Sequence, residues 1–176
     1  MILLSLDLST KCSGYSVFTD DKLTDYGSFA EGKYKHKSLD RYPAKSAKVG
    51  KIMAEKVMEL VSEVKPDKIV IEEISVGGKQ GVLQVKSLAA FHGMLMYLLH
   101  DQIDIVYFMP ASGKLKSHGI ELPGWRKILQ LKKNGDWKAS SVKRANEIYG
   151  LNLEYADDDI ADSILIGTAF LELGIE

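Results

Sequence analysis

Two short apolar runs, each with acidic residues near its end, constrain the fold of this chain more than any other feature of the sequence. Ile2–Leu8 is apolar on both faces, as in a central buried strand, but contains Asp7. Lys68–Ile74 is a second buried strand, interrupted by Glu72 and Glu73. A carboxylate in such a position costs several kcal/mol unless it is paired or binds a cation. The runs therefore predict two strands of a sheet with an acidic site near their ends.

The remaining periodicity predicts an α/β protein. The predicted strands are Ile2–Leu8, Gly14–Thr19, Leu23–Ala30, Lys68–Ile74 and Ile103–Met109, and the predicted helices are Ala44–Val64, Val82–His100, Trp125–Lys133, Ala139–Tyr149 and Asp158–Leu173. Loops are expected at 32–43 and 77–81. A hairpin followed by βαβ units implies a five-stranded mixed sheet flanked by helices. We expect residues 1–176 to form one domain, with a basic insertion around residues 112–138.

The composition excludes several classes of protein. With 45% hydrophobic and 27% charged residues, the chain is neither disordered nor collagenous. Its one cysteine, Cys12, cannot form an intrachain disulfide, which suits a reducing compartment. No apolar run reaches the ~18 residues of a membrane span, and the N-terminus lacks the basic region of a signal peptide. We therefore expect a protein of the cytoplasm, the host cytoplasm if it is phage-encoded, that has no membrane partner.

The charges are segregated although the net charge is only −1. Glu31–Lys56 holds eight basic and three acidic residues, and Ser112–Asn146 holds nine basic and two acidic residues. From Glu147 to the C-terminus there are eight acids and no base. This pattern indicates a surface for a polyanion beside a site for cations. The alternative is that these charges lie on ordinary solvated helix faces.

A cluster of aspartates begins the last predicted helix. Asp159 and Asp162 are three residues apart and share one helix face, and Asp158 and Asp162, four apart, also satisfy this condition. Acids at the start of a helix favour its dipole, so the run Asp157–Asp159 has a simpler structural explanation. That explanation does not cover Asp162, which lies one turn further along the helix. The choice between Asp158 and Asp159 stays open.

The strand acids and helix acids together predict a site with only oxygen ligands. Adjacent strand residues point to opposite faces, so only one of Glu72 and Glu73 can share a face with Asp7. Taken singly, Asp7 could be a buried hydrogen-bonding acid and Glu72 a member of an ion pair. Four carboxylates suit Mg²⁺ or Mn²⁺ rather than zinc, and would hold two ions about 4 Å apart. The four histidines have no ligand spacing with Cys12.

Several segments resemble the RuvC-type Holliday junction resolvases of the ribonuclease H-like superfamily. Leu4–Thr10 with Gly14–Val17 resembles the first motif, Ile69–Glu73 the strand of the second acid, Ser87–Gly93 the helix that follows it, and Asp158–Ser163 the Asp-x-x-Asp-Ala helix. The resemblance spans most of the chain, whose length is similar to that of single-domain resolvases, particularly shorter phage-borne relatives. It implies a ribonuclease H-like fold. It also implies that Asp7, Glu72, Asp159 and Asp162 are the catalytic residues and the metal ligands.

The resemblance extends to basic residues and also has two departures. Ser112–Lys114 matches a basic Ser-x-Lys segment that follows the fifth strand, and Lys138 matches a lysine that precedes the penultimate helix. Lys114, Lys116 and Lys138 are therefore candidate DNA contacts, or alternatively solvated surface residues. Ser75 and Val76 stand where the family commonly has an aromatic residue that acts as a wedge at the junction. The segment His118–Trp137 is longer than expected, and Trp125 and Trp137 within it would either stack on exposed bases or pack the insertion onto the body.

The implied function is a metal-dependent, structure-selective endodeoxyribonuclease of DNA recombination and repair. It would resolve Holliday junctions, and other branched DNA, by in-line attack of water on a phosphodiester without a covalent enzyme intermediate. The resemblance also implies a homodimer, for which the helix Val82–His100 is a candidate interface because its apolar residues exceed one core-facing stripe. The alternative is a helix buried between the sheet and the insertion.

Three other functions are weighed against this one. A related ribonuclease H-like nuclease that acts on RNA is the main alternative, and cleavage of junction DNA against structured RNA would separate the two. Asp7–Lys11 with Gly14 is also similar to a phosphate motif of actin-like sugar kinases, but the chain is too short for their duplicated domain. A non-catalytic DNA-binding protein is disfavoured because uncompensated acids would repel phosphate.

Overall fold

The computed structural model describes residues 1–30, 43–74, 81–133 and 135–175. The strands are β1 (Ile2–Asp7), β2 (Cys12–Thr19), β3 (Lys22–Ala30), β4 (Lys68–Glu72), β5 (Val106–Met109), β6 (Lys114–Ser117) and β7 (Ile120–Pro123). The helices are α1 (Ala44–Val64), α2 (Val82–Leu98), α3 (Trp125–Ile128), α4 (Trp137–Tyr149) and α5 (Asp158–Glu172). None of the helices in these ranges has the length and hydropathy of a membrane span.

Five strands form one mixed sheet in the order β3-β2-β1-β4-β5, which confirms the predicted architecture. β1 is antiparallel to β2 and parallel to β4, and β4 is parallel to β5. The central place of β1 explains why its sequence is apolar on both faces. Because Leu6 pairs with Ile71 in parallel register, the carboxyl ends of β1 and β4 meet at the same edge of the sheet.

Two helical layers cover the sheet. Leu4, Leu6, Ile69 and Ile71 pack with α1 and α2 on one face, and Leu3 and Val70 pack with α3, α4 and α5 on the other. Side chains alternate along a strand, so Asp7 follows Leu3 and Glu72 follows Val70 onto the α5 face. The fold thereby directs one acid from each of two strands toward the helix that carries Asp159 and Asp162.

Most of the predicted elements differ from the structure by one or two residues at an end, and the fifth strand and the helix Trp125–Lys133 differ by more. Residues 103–105, predicted as the start of the fifth strand, lie in a 3₁₀ turn that spans His100–Ile105, and β5 begins only where Val106 pairs with Ile69. Ile103 is exposed, so no buried strand begins there. The predicted helix Trp125–Lys133 ends at Ile128, and Gln130 has a positive φ of 51° that interrupts helical geometry. β4 ends at Glu72, two residues before its predicted end.

The two predicted loops lie almost wholly outside the described residues, of which they include only Pro43 and Gly81. Ser75 and Val76, where the family aromatic was missing, also lie outside the described part of the chain. Nothing in the fold therefore bears on these positions.

The basic segment 112–138 contains a two-stranded hairpin that the sequence patterns did not predict. β6 and β7 are antiparallel, and the turn between them is His118–Gly119, both with positive φ, as a tight hairpin turn requires. The hairpin folds back onto the end of β5, because the backbone N–H of Trp125 donates to the carbonyl oxygen of Pro110 (3.0 Å). Gly124 makes this return possible, since a Cβ there would lie 2.5 Å from the Cα of Ser112.

Candidate active site

The four predicted acids meet at one end of the sheet. Asp7 and Glu72 stand at the ends of β1 and β4, and Asp159 and Asp162 lie in the first turns of α5. Asp7, Glu72 and Asp159 line a cavity of about 320 Å³. Asp162 does not line the cavity, but its charge and that of Glu72 both act on Asp7. The structure thus brings together residues that are up to 155 positions apart in the sequence.

α5 reaches this position through close backbone packing on β1 and β2. Gly14 pairs with Asp7 across the two strands, and a Cβ on Gly14 would lie only 1.8 Å from the carbonyl oxygen of Asp159. The buried hydroxyls of Ser5 and Ser16 both donate hydrogen bonds to the carbonyl oxygen of Ser163, at 2.7 and 3.0 Å. These contacts fix the height and rotation of α5, and therefore the place of its two acids.

The charges of Asp7 and Asp162 are costly in this environment. Burial raises the pKa of Asp7 well above its usual range, and the carboxylates of Glu72 and Asp162 raise it further. Burial and the charge of Glu72 raise the pKa of Asp162 to about 7. The Ser141 hydroxyl and the Arg126 guanidinium favour the charged form of Asp162 and oppose this shift only in part. The two acids therefore resist ionisation while no cation is bound.

The donor set fits a hard divalent cation, although the site is not preformed. Within the four described ranges, no three or more His, Cys, Asp or Glu side chains are arranged so that they could hold a metal ion. The chemistry of the residues is nevertheless suitable, because every donor is a carboxylate oxygen. Oδ1 of Asp162 is buried and has no hydrogen-bond partner among the described residues, and such an atom is satisfied by a cation. The two-ion site stays a prediction.

Glu72, rather than Glu73, faces the helical acids. Nε1 of Trp125 donates a hydrogen bond to Oε1 of Glu72 at 3.2 Å, on the side of the sheet that α5 covers. Glu73 follows the end of β4, where its backbone N–H donates to the carbonyl oxygen of Met109 (2.9 Å), although the residue also lines the cavity. Glu72 therefore shares a face with Asp7, as the alternation of strand residues predicted, and it has a fixed orientation.

The structure also distinguishes Asp158 from Asp159. Asp158 forms an ion pair with Lys138, and this contact raises the pKa of the lysine. Asp159 lines the cavity instead, beside Cys12 of β2. Burial, together with the charge of Asp158, raises the pKa of Asp159. Asp159 is thus the better placed of the two for a role in the cavity.

The three predicted DNA-binding lysines lie in two different places. Lys138 is at the rim of the site, held by Asp158. Lys114 and Lys116 lie on the β6–β7 hairpin, outside the lining of the cavity, and Nζ of Lys114 contacts Oε1 of Glu121 at 2.6 Å. Of these lysines the structure brings only Lys138 to the acids.

Arg126 is a cavity residue that the sequence analysis did not single out. It lines the cavity next to the acids, and its guanidinium carbon lies 4.8 Å from the ring centroid of Trp125 and 4.7 Å from that of Trp137. Trp125 is fully buried, so it packs the insertion onto the body. The sequence offered one signal for this residue, because Arg126 directly follows Trp125 and precedes Trp137 by eleven residues.

The order of the strands and the position of the acids define the class of fold. A mixed five-stranded sheet ordered β3-β2-β1-β4-β5, with helices on both faces, is the ribonuclease H-like fold. No protein-family model matches the chain, and no curated protein matches its sequence. The comparison with solved structures is therefore the informative one.

Holliday junction resolvases are among the solved structures that are similar to this chain. RuvC of T. thermophilus in complex with a Holliday junction substrate is 13% identical, with a TM-score of 0.66 over 99% of this chain and 96% of that chain. A second structure of Thermus thermophilus RuvC has a TM-score of 0.64 at 13% identity, over 99% and 97% of the two chains. The yeast mitochondrial resolvase Ydc2 has a TM-score of 0.57 at 16% identity, over 96% and 77%. At such identities the likeness establishes the fold.

Proposed function

We propose that this protein is a metal-dependent endodeoxyribonuclease that resolves Holliday junctions and related branched DNA, in recombination or repair. The observation that carries the proposal is the convergence of Asp7, Glu72, Asp159 and Asp162 at the end of the sheet. The likeness of nearly the whole chain to a RuvC bound to a Holliday junction supports four-way DNA as the substrate.

The four carboxylates would hold Mg²⁺ or Mn²⁺, two ions in each site. When bound, the ions supply the charge that activates a water for in-line attack and stabilises the leaving 3′ oxygen. The protein's own contribution is the placement of these acids. Trp125 orients Glu72, and the bonds of Ser5 and Ser16 to Ser163 hold α5 against the sheet. Lys138 forms an ion pair with Asp158, and this pairing reduces the repulsion between that acid and the substrate phosphate.

A homodimer suits a substrate that must be cut at two symmetric positions. α2 exposes Val82, Leu83, Tyr97 and Leu98. Its second half and α1 form an apolar groove of about 480 Å³, lined in part by Ala54, Ala90 and Met94. We propose that a second copy of the chain covers this groove, because exposed apolar patches on soluble proteins mark interaction surfaces.

The experiment that tests the function is cleavage of a labelled four-way DNA junction with Mg²⁺ or Mn²⁺. Linear duplex, a Y-fork and structured RNA are assayed beside it. We expect paired symmetric nicks in the junction. Asp7→Asn, Glu72→Gln and Asp162→Asn should each lower the rate at least about a hundredfold, because each removes a carboxylate that would bind the ions.

Glu73→Gln is the matched control, since it removes the same group from the neighbouring position and should cost less than about fivefold. Cleavage of the Y-fork as fast as the junction would indicate a general debranching nuclease. Cleavage of RNA alone would transfer the proposal to the RNA-processing nucleases. If neither the wild-type protein nor any variant cuts any substrate, the nuclease function is wrong.

A further inference from the structure

Arg126 combines two geometric features that point to a ligand in the cavity. Its guanidinium carbon lies over the rings of Trp125 and Trp137, at 4.8 and 4.7 Å from their centroids. A guanidinium that contacts aromatic rings in this way can still donate hydrogen bonds through its N–H groups. The residue also lines the carboxylate cavity, beside Asp7, Glu72 and Asp159.

The charge of Arg126 acts on Asp162, and it is not used in a direct ion pair. Among the described residues Arg126 forms no salt bridge with an acid, and its Nε is buried without a hydrogen-bond partner, although the residue as a whole is half-buried. Charged groups that are removed from water are nearly always paired, so an arginine without a direct ion pair in a cavity fits an anionic ligand. An anion that lies beside Asp7, Glu72 and Asp159 must also bind the cations that the acids would hold. A phosphodiester meets both conditions.

We propose that Arg126 binds a non-bridging oxygen of the substrate phosphate in this cavity, with Trp125 and Trp137 holding the guanidinium in place. The inference rests on the proposed function, because that function supplies the phosphate. Arg126 is in this sense a substrate-binding residue contributed by the segment 112–138.

Trp125 gives this arrangement a geometric consequence. The same indole that contacts Arg126 donates a hydrogen bond to Glu72, and its backbone N–H is bound to the end of β5. Trp125 thereby links the position of the Arg126 guanidinium to that of Glu72, one of the predicted metal ligands. A phosphate held by Arg126 would therefore lie at a defined position relative to Glu72, which is how positioning contributes to catalysis.

The test measures binding of a four-way DNA junction over a series of salt concentrations, with Ca²⁺ in place of Mg²⁺ as the hard cation at the carboxylates. We expect Arg126→Gln to weaken binding about tenfold at low salt and to reduce the slope of log K against log salt by about one, the value for loss of one phosphate contact. Arg126→Lys keeps the charge but lacks the planar donors, so its affinity should lie between those of the wild-type protein and Arg126→Gln. Trp137→Leu, which keeps the charge and removes one of the two rings that contact Arg126, should weaken binding about threefold.

The control is Lys22→Gln, which removes an exposed positive charge at the start of β3, at the opposite end of the sheet from the acids. Its salt slope and affinity should match those of the wild-type protein. Thermal unfolding of each variant establishes that it is folded, and Arg126→Lys remains informative if Arg126→Gln does not fold. With Mg²⁺ present, we expect KM of Arg126→Gln to rise more than its kcat falls.

A wild-type protein that binds no DNA would overturn the proposed function and this inference together. A wild-type protein that binds and cuts the junction, while Arg126→Gln keeps the same salt slope, affinity and KM, would overturn only the role of Arg126. In that outcome the arginine balances the charge of the acids, and Arg126→Gln would bind Mg²⁺ more tightly than the wild-type protein.

Discussion

Asp162 lies on α5 with one carboxylate oxygen buried and unpartnered, and its environment should govern how stability depends on pH. Its pKa rises from 3.8 to about 7 in the folded protein, so the native state binds a proton that the unfolded state has released. The resulting stabilisation is complete below about pH 4 and is lost as the pH rises through 7. Between pH 5 and pH 8, the free energy of unfolding of the metal-free wild-type protein should fall. That of Asp162→Asn should fall by about 1–3 kcal/mol less, because the asparagine does not titrate.

Urea unfolding at the two pH values in EDTA measures this difference, and the same titration with Mg²⁺ gives an internal check. Mg²⁺ should stabilise the wild-type protein at pH 8 and should have little effect on Asp162→Asn, because a ligand stabilises only the state that binds it. Equal pH dependence in the two proteins would show that Asp162 is not held in the environment described here.

The residues of the site differ in how far the sequence could predict them. Asp7 and Glu72 were predicted because each interrupts an apolar strand, where a charge is costly enough to be noticed. Helical spacing predicted Asp162 with either Asp158 or Asp159, and the resemblance to the resolvases selected Asp159. No sequence pattern predicted Arg126, because its contact with Trp137, eleven residues further along the chain, is formed only when the insertion folds.

At the scale of elements, the packing of α5 on β2 depends on the absence of a side chain at Gly14. A Cβ at this position would lie 1.8 Å from the carbonyl oxygen of Asp159, in rigid backbone that cannot yield locally. We expect Gly14→Ala to lower the free energy of unfolding by about 2–3 kcal/mol, as overpacked substitutions do. We also expect it to abolish cleavage, because α5 carries two of the acids.

Gly81→Ala is the control for this substitution, since a Cβ at Gly81 meets nothing within 4 Å and its φ of −69° suits alanine. Its free energy of unfolding should change by less than about 0.5 kcal/mol. Equal stability of the Gly14 and Gly81 variants, measured by urea unfolding, would contradict the close approach of α5 to β2.

Elements with strong periodicity were predicted and short, polar elements were not. The bounds of α1 agree with the prediction at both ends, because its apolar residues recur at three-to-four spacing over six turns. β6 and β7 have four residues each, and β6 alternates lysine with other residues, so no apolar pattern marked them. Ile103 and Ile105 alternate with polar residues as in a strand and so led to the wrong start of the fifth strand. Pairing with β4 begins only at Val106.

At the scale of the whole molecule, the proposed dimer makes a prediction about α2. Tyr97 and Leu98 are 77% and 41% exposed and line the apolar groove with α1. We expect wild type to sediment as a dimer at micromolar concentration. Leu98→Glu should weaken the dimer at least about tenfold, because it places a charge in the desolvated part of the interface.

Tyr26→Glu provides the control, because Tyr26 is exposed on the outer strand β3, away from the groove. This variant should sediment as the wild-type protein does, and both variants should unfold at temperatures similar to that of wild type. A monomeric wild-type protein would exclude the dimer, and a dimer unaffected by Leu98→Glu would place the interface elsewhere.

The distribution of the acids along the chain has a consequence for its synthesis. β1 and β4 supply Asp7 and Glu72 early, whereas Asp159 and Asp162 lie on the last helix described. A nascent polypeptide that stalls on the ribosome anywhere before residue 159 therefore carries at most two of the four acids, and it lacks the helix α5 that packs on α4 and β2. For the nuclease proposed above, such incomplete translation products lack half of the predicted metal ligands and should not cut DNA.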